Sequence, residues 1–222
     1  MYSNPENIIE IPFPFLSFVQ PTDRFNLDAG GNFAYMGREG FSRVLKFFDN
    51  SRRYRWLRIY GSIGYGKSHI LAAMACYLFQ QGKRVVYLPD CRPMVKDFLE
   101  YLRCGLLLAF GDSESHQIEI VKCLSVDAIR SFCKTITYYG IHLYFIVDQL
   151  NALDEEGTNK DDLPNSKKIE ISSDLDKITS GHFVIKSASA NYKAAMYMSY
   201  KQMSEMKISF FGGLTKVWKF LC

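Results

Sequence analysis

Along most of the 222-residue chain, short apolar runs typical of strands alternate with stretches in which apolar residues recur at helical spacing. Apolar, β-prone runs predict strands at 56–60, 84–88, 141–147, 182–188 and 207–211. Helical spacing of apolar residues predicts helices near 41–48, 67–81, 93–110, 115–138, 167–179 and 192–204. The run "IHLYFIV" at 141–147 is the most continuous and indicates a central strand covered on both faces. Strands alternating with helices predict a three-layer α/β fold, a parallel sheet with helices on both faces.

The first 33 residues do not follow this pattern. The stretch "SNPENIIEIPFPFLSFVQPTDRF" contains four prolines, which break helices, and predicts an extended leader draped over the domain. We therefore divide the chain into a leader at 1–33, a domain at 34–211 and a C-terminal tail at 212–222, which we interpret as the start of a truncated region.

Composition indicates the class of protein and the compartment in which it is expected. The chain is 48% hydrophobic with a formal charge of +4, which indicates a globular domain and is too mild to predict nucleic-acid or membrane binding by itself. The six cysteines are scattered without a C-x-x-C pair, which argues against structural zinc and favours reduced thiols. The opening residues do not resemble a signal peptide, and no apolar run is long enough to span a membrane. We expect an intracellular protein, cytoplasmic or nuclear.

The stretch "GSIGYGKS" at 61–68 lies between a predicted strand and a predicted helix. It fits G-x-x-x-x-G-K-[ST], the P-loop, whose backbone N–H groups cradle phosphates at a helix N-terminus. Lys67 is expected to reach the β- and γ-phosphates of ATP, and the Ser68 hydroxyl is expected to bind Mg²⁺. The predicted nucleotide-binding residues here are Gly61, Ser62, Ile63, Gly64, Tyr65, Gly66, Lys67, Ser68 and His69.

A P-loop needs an acidic magnesium partner at the end of a neighbouring strand, and "LYFIVDQ" supplies Asp148. The next residue, Gln149, stands where P-loop ATPases with an additional strand commonly place a glutamate that activates water. Glutamine orients water but is a poor general base. Asp154, Glu155 and Glu156 follow closely, as substitutes for that base or as a solvated acidic loop.

Three further features bear on the site, and the last two of them have two interpretations each. Gly37 and Arg38 in "MGRE" resemble the motif that lines the adenine pocket of AAA+ and STAND ATPases. In "IKSASANY", Ser187, Ser189 and Asn191 lie at and beyond a strand end, where a polar sensor of the γ-phosphate or of the attacking water is expected. Asn191 is our candidate, with a helix N-cap as the alternative. The cluster "SRRYRWLR" at 51–58 has either a structural role or contacts to nucleic-acid phosphates.

Three stretches, "YGSIGYGKSHILAA", "GKRVVYLPDCR" and "FIVDQLNALD", resemble the ATPase module of crinkler effectors and the related retrotransposon hot spot proteins. The resemblance covers residues 30–213. It implies an additional-strand ATPase that precedes a nuclease-like domain in longer members, many of which are delivered to host cells and directed to nuclei. It assigns Lys67, Ser68, Asp148 and Asn191 to nucleotide and magnesium.

The sequence departs from that pattern at its C-terminal end. It stops soon after "FFGGL", before the helical lid and any nuclease region, and no arginine follows Arg130 to act as a late finger or sensor. We therefore expect a weak, Mg²⁺-dependent ATPase or nucleotide-driven switch, with a homo-oligomer left open. The alternatives are a nucleotide-binding interaction module without turnover and a P-loop kinase, whose arginine-rich lid the sequence lacks.

Overall fold

The structure is a computed structural model that describes residues 1–15, 24–49, 55–153, 164–188 and 205–210. The strands are β1 (Ile8–Pro12), β2 (Asn32–Met36), β3 (Trp56–Gly61), β4 (Arg84–Leu88), β5 (Leu143–Val147), β6 (Phe183–Ser187) and β7 (Glu205–Phe210). The helices are α1 (Glu39–Asp49), α2 (Lys67–Gln80), α3 (Cys91–Lys96), α4 (Phe98–Ala109), α5 (Glu114–Lys122), α6 (Val126–Tyr138) and α7 (Asn165–Thr179), with a 3-10 helix at Leu150–Leu153.

Five parallel strands form the main sheet in the order β4-β5-β6-β3-β7. The strand that precedes the glycine loop, β3, is thus separated from β5 by β6. This inserted strand defines the additional-strand arrangement, so the predicted α/β P-loop NTPase fold is confirmed. In β5, every residue except Tyr144 is buried, as its continuous apolar run predicts.

Helices cover both faces of this sheet. Helix α1 packs on α2, and α6 packs on α7. Right-handed crossovers place α2 on one face and the helices that link β4, β5 and β6 on the other, because the chain reverses direction across the sheet after β4. Ten of the fourteen residues of α2 are buried, which explains why this helix is apolar nearly all round.

Two long predicted helices are each divided in two. The helix expected at 93–110 is α3 and α4, because Asp97 adopts a non-helical conformation and its side chain caps α4 by accepting from the Glu100 N–H. The helix expected at 115–138 is α5 and α6, because the Ser125 hydroxyl caps α6 by accepting from the Ala128 N–H. Side-chain caps thus start new helices where apolar spacing alone runs on.

The leader contributes a strand. β1 pairs antiparallel with β2, with Ile8 opposite Met36, and the expected boundary between residues 33 and 34 falls inside β2. Tyr2 stacks on Phe41 of α1 with ring centroids 4.8 Å apart. The leader and the domain therefore share a sheet and a core rather than meeting at a surface.

The last predicted elements fall only partly within the described residues. The strand expected at 207–211 is β7, at Glu205–Phe210. The helix expected at 192–204 and the tail at 212–222 lie outside the described residues. Among the described helices, none is long and apolar enough to cross a membrane.

A buried ion pair joins the edge strand β7 to β3, in addition to their backbone pairing. This ion pair leads to a prediction about stability. Arg58 Nε of β3 lies 2.6 Å from Glu205 Oε1, with side chains 7% and 2% exposed. Removing one partner from a buried pair costs about 3–5 kcal/mol, because the remaining charge stays desolvated. Arg58→Met should therefore lower the free energy of unfolding by about that amount in urea denaturation.

The matched control is Asp112→Asn, which removes the carboxylate of the ion pair with Arg84 at a solvent-exposed position. Exposed pairs contribute little, so its unfolding transition should shift much less than that of Arg58→Met. Equal losses in the two variants would contradict the structural role of the buried pair.

Candidate functional site

The glycine loop at 61–66 is held down by the last residue of β7. The Ser62 N–H donates to the carbonyl oxygen of Phe210 at 3.1 Å, and the Tyr65 ring stacks on the Phe210 ring at 5.0 Å. A Cβ atom at Gly61 would lie 2.2 Å from the same carbonyl oxygen. Glycine is therefore required at 61 by close backbone approach. At the tip, Ile63 is 81% exposed and Gly64 has a left-handed φ of 83°.

Arg38 closes the other side of the loop. Its Nη1 donates to the Tyr65 carbonyl oxygen at 3.0 Å, and a Cβ at Gly66, where φ is 86°, would lie 2.5 Å from Arg38 Cζ. Burial lowers the pKa of Arg38. Gly37 is instead packed against the leader, since its Cβ would lie 2.1 Å from the Asn4 carbonyl oxygen. The structure thus brings Arg38 to the loop, and the adenine-pocket role of Gly37 and Arg38 stays a prediction.

Lys67 starts helix α2 with its ammonium group curled into the loop. Its Nζ donates to the carbonyl oxygens of Gly61 and Ser62 at 2.8 and 2.9 Å. Burial lowers the pKa of Lys67, and the nearby Asp148 carboxylate partly opposes this. No side chain caps the helix at Gly66, so its N-terminal dipole faces the loop. This is the arrangement that an anion inside the loop requires.

Asp148 lies at the end of β5 and is 0% exposed. Its Oδ1 accepts from the Gln149 N–H at 2.8 Å, whereas its Oδ2 has no hydrogen-bond partner within the described residues. Burial raises the pKa of Asp148, and the hydroxyls of Ser68 and Ser187 lie close enough to lower it in part. A buried carboxylate oxygen without a hydrogen-bond partner is costly unless it binds a cation or a proton, and the two hydroxyls offset only part of this cost.

These groups fit a magnesium ion. Mg²⁺ is commonly held by one or two protein oxygens, with phosphates and water completing an octahedron. Asp148 Oδ2 and the Ser68 hydroxyl supply such oxygens. Within the described ranges, no group of three or more His, Cys, Asp or Glu residues could hold a metal on its own. A magnesium ion on Asp148 and Ser68 would take its other ligands from water or phosphate.

His69 follows Ser68, but its ring faces the leader. The imidazole packs on Phe25 at 4.9 Å and on Phe33 at 6.0 Å. Burial, together with the charges of Arg38 and Arg24, lowers its pKa to about 4. The ring is therefore neutral at physiological pH, and a phosphate contact from this residue would come from its backbone N–H.

The residues expected beyond the strand ends are only partly described. Gln149 is half-buried with a left-handed φ of 60°, an uncommon conformation for a residue other than glycine, and the 3-10 helix begins directly after it. Ser187, at the end of β6, is fully buried next to Asp148. Asn191 lies outside the described residues, as do Ser189 and the acidic residues Asp154, Glu155 and Glu156.

Two residues near the loop, Arg24 and Asp90, are not indicated by any sequence motif. Asp90 follows β4, the neighbour of β5, and is 5% exposed. Arg24 Nη2 lies 2.9 Å from Asp90 Oδ2, and its Nη1 lies 3.5 Å from Ser68 Oγ. Asp90 carried a weaker signal than Asp148, because it lies two residues beyond the end of β4, whereas Asp148 directly follows β5. Arg24, in the proline-rich leader, carried none.

The two described arginines of the basic cluster make contacts within the chain. Arg58 is buried against Glu205, and Arg55 Nη1 donates to the Gly181 carbonyl oxygen at 2.7 Å. Arg52 and Arg53 lie outside the described residues. Arg58 and Arg55 thus have structural contacts, and phosphate contact by the cluster stays a prediction.

Three solved structures with similarity to the chain can be named. A DNA replication initiation factor is 15% identical with a TM-score of 0.46, covering 77% of this chain and 44% of its own. AMPPCP-bound DnaA from Aquifex aeolicus is 16% identical with a TM-score of 0.44, covering 82% and 48%. The Aeropyrum pernix ORC2 protein, in ADPNP-ADP complexes, is 12% identical with a TM-score of 0.45, covering 78% and 47%. The chain spans less than half the length of each. No protein-family model and no curated protein matches it.

Buried Asp148 generates a prediction about pH. Because its pKa is raised, the folded chain holds this proton more tightly than the unfolded chain. Its contribution favours folding below its usual pKa of about 4 and is lost as pH rises through the raised value. Asp148→Asn, which has no such proton to lose, should melt at a higher temperature than wild type at neutral pH. Each kcal/mol relieved raises Tm by about 2–4 °C.

The measurement is thermal unfolding between about pH 4 and pH 8 with EDTA and without nucleotide. Asp28→Asn is an opposite-sign control, because backbone and side-chain hydrogen bonds from Asn32 lower the pKa of Asp28. Its wild-type carboxylate favours folding above its usual pKa, so Asp28→Asn should melt below wild type at neutral pH. A pH profile of Asp148→Asn parallel to wild type would refute the assignment of Asp148 as a destabilising buried acid.

Proposed function

We propose that this chain binds ATP with Mg²⁺ and hydrolyses it slowly, working as a nucleotide-driven switch. One observation carries the proposal: the P-loop residues Lys67 and Ser68 begin α2 beside a fully buried Asp148 carboxylate with one oxygen unpartnered in the described chain. Such a carboxylate destabilises the fold unless it binds a cation, and a magnesium-bound phosphate is the ligand that its position fits.

Each group has a distinct role. The backbone N–H groups of the loop and the first turn of α2 bind the β-phosphate. Lys67, which donates to two loop carbonyl oxygens without nucleotide, transfers its hydrogen bonds to the β- and γ-phosphates. Ser68 and Asp148 hold Mg²⁺, which neutralises charge on the phosphates.

Water activation is the weak part of this machinery. Gln149 follows Asp148 at the carboxyl end of β5, where its side chain orients the attacking water without accepting a proton efficiently. We assign the γ-phosphate sensor to Asn191. Slow hydrolysis distinguishes this proposal from the alternative of an interaction module with no turnover, which shares the same binding site. The kinase alternative has no supporting observation among the described residues.

The biological setting rests on sequence motifs. The resemblance to crinkler effectors and retrotransposon hot spot proteins supports a role as the ATPase module of an effector. It also leaves nucleic acid and a second copy of the chain as candidate partners. ATP turnover measured with and without DNA, and across protein concentrations, tests both partners.

The nucleotide site itself is tested by Lys67→Ala. This change removes the one ammonium in the loop, and charged hydrogen bonds contribute about 1.5–3 kcal/mol, so ATP affinity should fall at least about tenfold. Isothermal titration with Mg²⁺ measures it.

Lys83→Ala is the control, because Lys83 is exposed outside the loop and should bind ATP as wild type does. In parallel titrations, Asp148→Asn should bind ATP with similar affinity with and without Mg²⁺, because its carboxylate acts through the metal. Undiminished ATP affinity in folded Lys67→Ala would exclude a P-loop function.

Gln149→Glu tests what limits turnover. If hydrolysis lacks a base, the carboxylate should raise kcat, by up to the ~10²- to 10⁴-fold typical of general-base catalysis, with ATP affinity nearly unchanged. Steady-state phosphate release measures kcat. A large loss of kcat in a folded variant would show that the amide of Gln149 already positions water effectively, and that the chain is not an impaired hydrolase.

A further inference from the structure

The buried carboxylate of Asp90, two residues beyond the end of β4, forms ion pairs with two arginines beside the proposed nucleotide site. Asp90 Oδ2 lies 2.9 Å from Arg24 Nη2, and Arg92 Nε donates to both Asp90 oxygens at 3.0 Å. Asp90 Oδ1 also caps α3 by accepting from the Arg92 N–H at 2.9 Å. The Asp90 N–H in turn donates to the Tyr101 hydroxyl at 3.2 Å. The carboxylate is therefore fixed from several directions.

Its partner Arg24 points towards the P-loop. Because β4 and β5 are parallel neighbours, Asp90 and Asp148 both lie at the carboxyl ends of the strands, on the same side of the sheet's end. Arg24 uses Nη2 for Asp90, and Nη1 lies 3.5 Å from Ser68 Oγ, too far for a strong hydrogen bond. Its charge also reaches Asp148, whose pKa it lowers in part. The guanidinium thus lies on the side of Ser68 and Asp148, whereas Lys67 lies inside the loop.

That position is within reach of a γ-phosphate. A metal on Ser68 is about 2.0–2.1 Å from its oxygen ligands, so the phosphate oxygens that share the metal lie a few ångströms from Ser68 Oγ. An arginine anchored at its far side by a carboxylate presents a planar fork suited to such oxygens. Its side chain is 31% exposed, so it has room to move the short distance from Ser68 to a phosphate.

We propose that Arg24 is a γ-phosphate-binding residue supplied by the leader, and that Asp90 is its positioning residue. The inference rests on the proposed ATP function and deepens it. It supplies within the chain a cation that stabilises charge on the transferring phosphoryl group, although no arginine follows Arg130. Arg24 therefore distinguishes ATP from ADP, which lacks the γ-phosphate.

The experiment compares the affinities of ADP and a non-hydrolysable ATP analogue, both with Mg²⁺, by isothermal titration. Arg24→Ala should weaken the analogue about 10- to 100-fold and ADP by less than about twofold. The control is Arg130→Ala. Arg130 is 22% exposed and pairs with Asp174 at 2.8 Å, similar to Arg24 with Asp90, but it lies on α6, outside the site. The ratio of the affinity for the ATP analogue to the affinity for ADP should be the same in Arg130→Ala as in wild type.

Two further variants separate phosphate binding from structural support. Arg24→Lys keeps the charge and should recover part of the preference for the analogue, and it is measured in place of Arg24→Ala if the latter does not fold. Asp90→Asn should lower the preference in the wild-type background and have no effect on it in the Arg24→Ala background, because Asp90 acts through Arg24.

Equal weakening of ADP and the analogue by Arg24→Ala, or no change in either, would overturn the inference while leaving ATP binding intact. An equal effect of Asp90→Asn in both backgrounds would overturn the positioning role. A wild-type chain that binds neither nucleotide would overturn the proposed function and this inference together.

Discussion

The site depends on keeping the Asp148 carboxylate out of water. Parallel pairing of β5 with β4 and β6 encloses the end of β5, so that the carboxylate is fully buried with the hydroxyls of Ser68 and Ser187 beside it. Burying a charged group lowers the stability of a fold, and here the buried charge lies where a bound cation would compensate it. The groups that offset it come from α2, β6 and the leader, which ties the integrity of the site to the whole sheet.

A feature of this fold could be predicted from the sequence when a few neighbouring residues specify it, and could not when it depends on contacts between distant residues. The loop, Lys67, Ser68 and Asp148 were predictable because a short motif and a strand end specify them within a few residues. The parallel sheet was predictable from alternating periodicities. The breaks at Asp97 and Ser125 were missed because a single capping side chain outweighs apolar spacing that continues across it. Arg24 was missed because only tertiary structure brings it to Ser68, 44 positions away.

The leader has a larger structural role than its prolines suggest. Its first turn packs against Gly37 and Phe41, its strand β1 completes a sheet with β2, and its Phe25 covers His69. Proline is compatible with this path because Pro12 ends a strand and donates no hydrogen bond. The leader is thus part of the core and of the surroundings of the P-loop rather than a surface covering.

The contact between the P-loop and Phe210 bears on biosynthesis. The loop emerges from the ribosome early, but the carbonyl oxygen that holds Ser62, and the ring on which Tyr65 stacks, belong to a residue translated almost 150 positions later. Such distant contacts form slowly, because the intervening chain must first lose its conformational freedom. A nascent chain therefore contains the glycine loop long before that loop can make the contacts with Phe210 that support its folded shape.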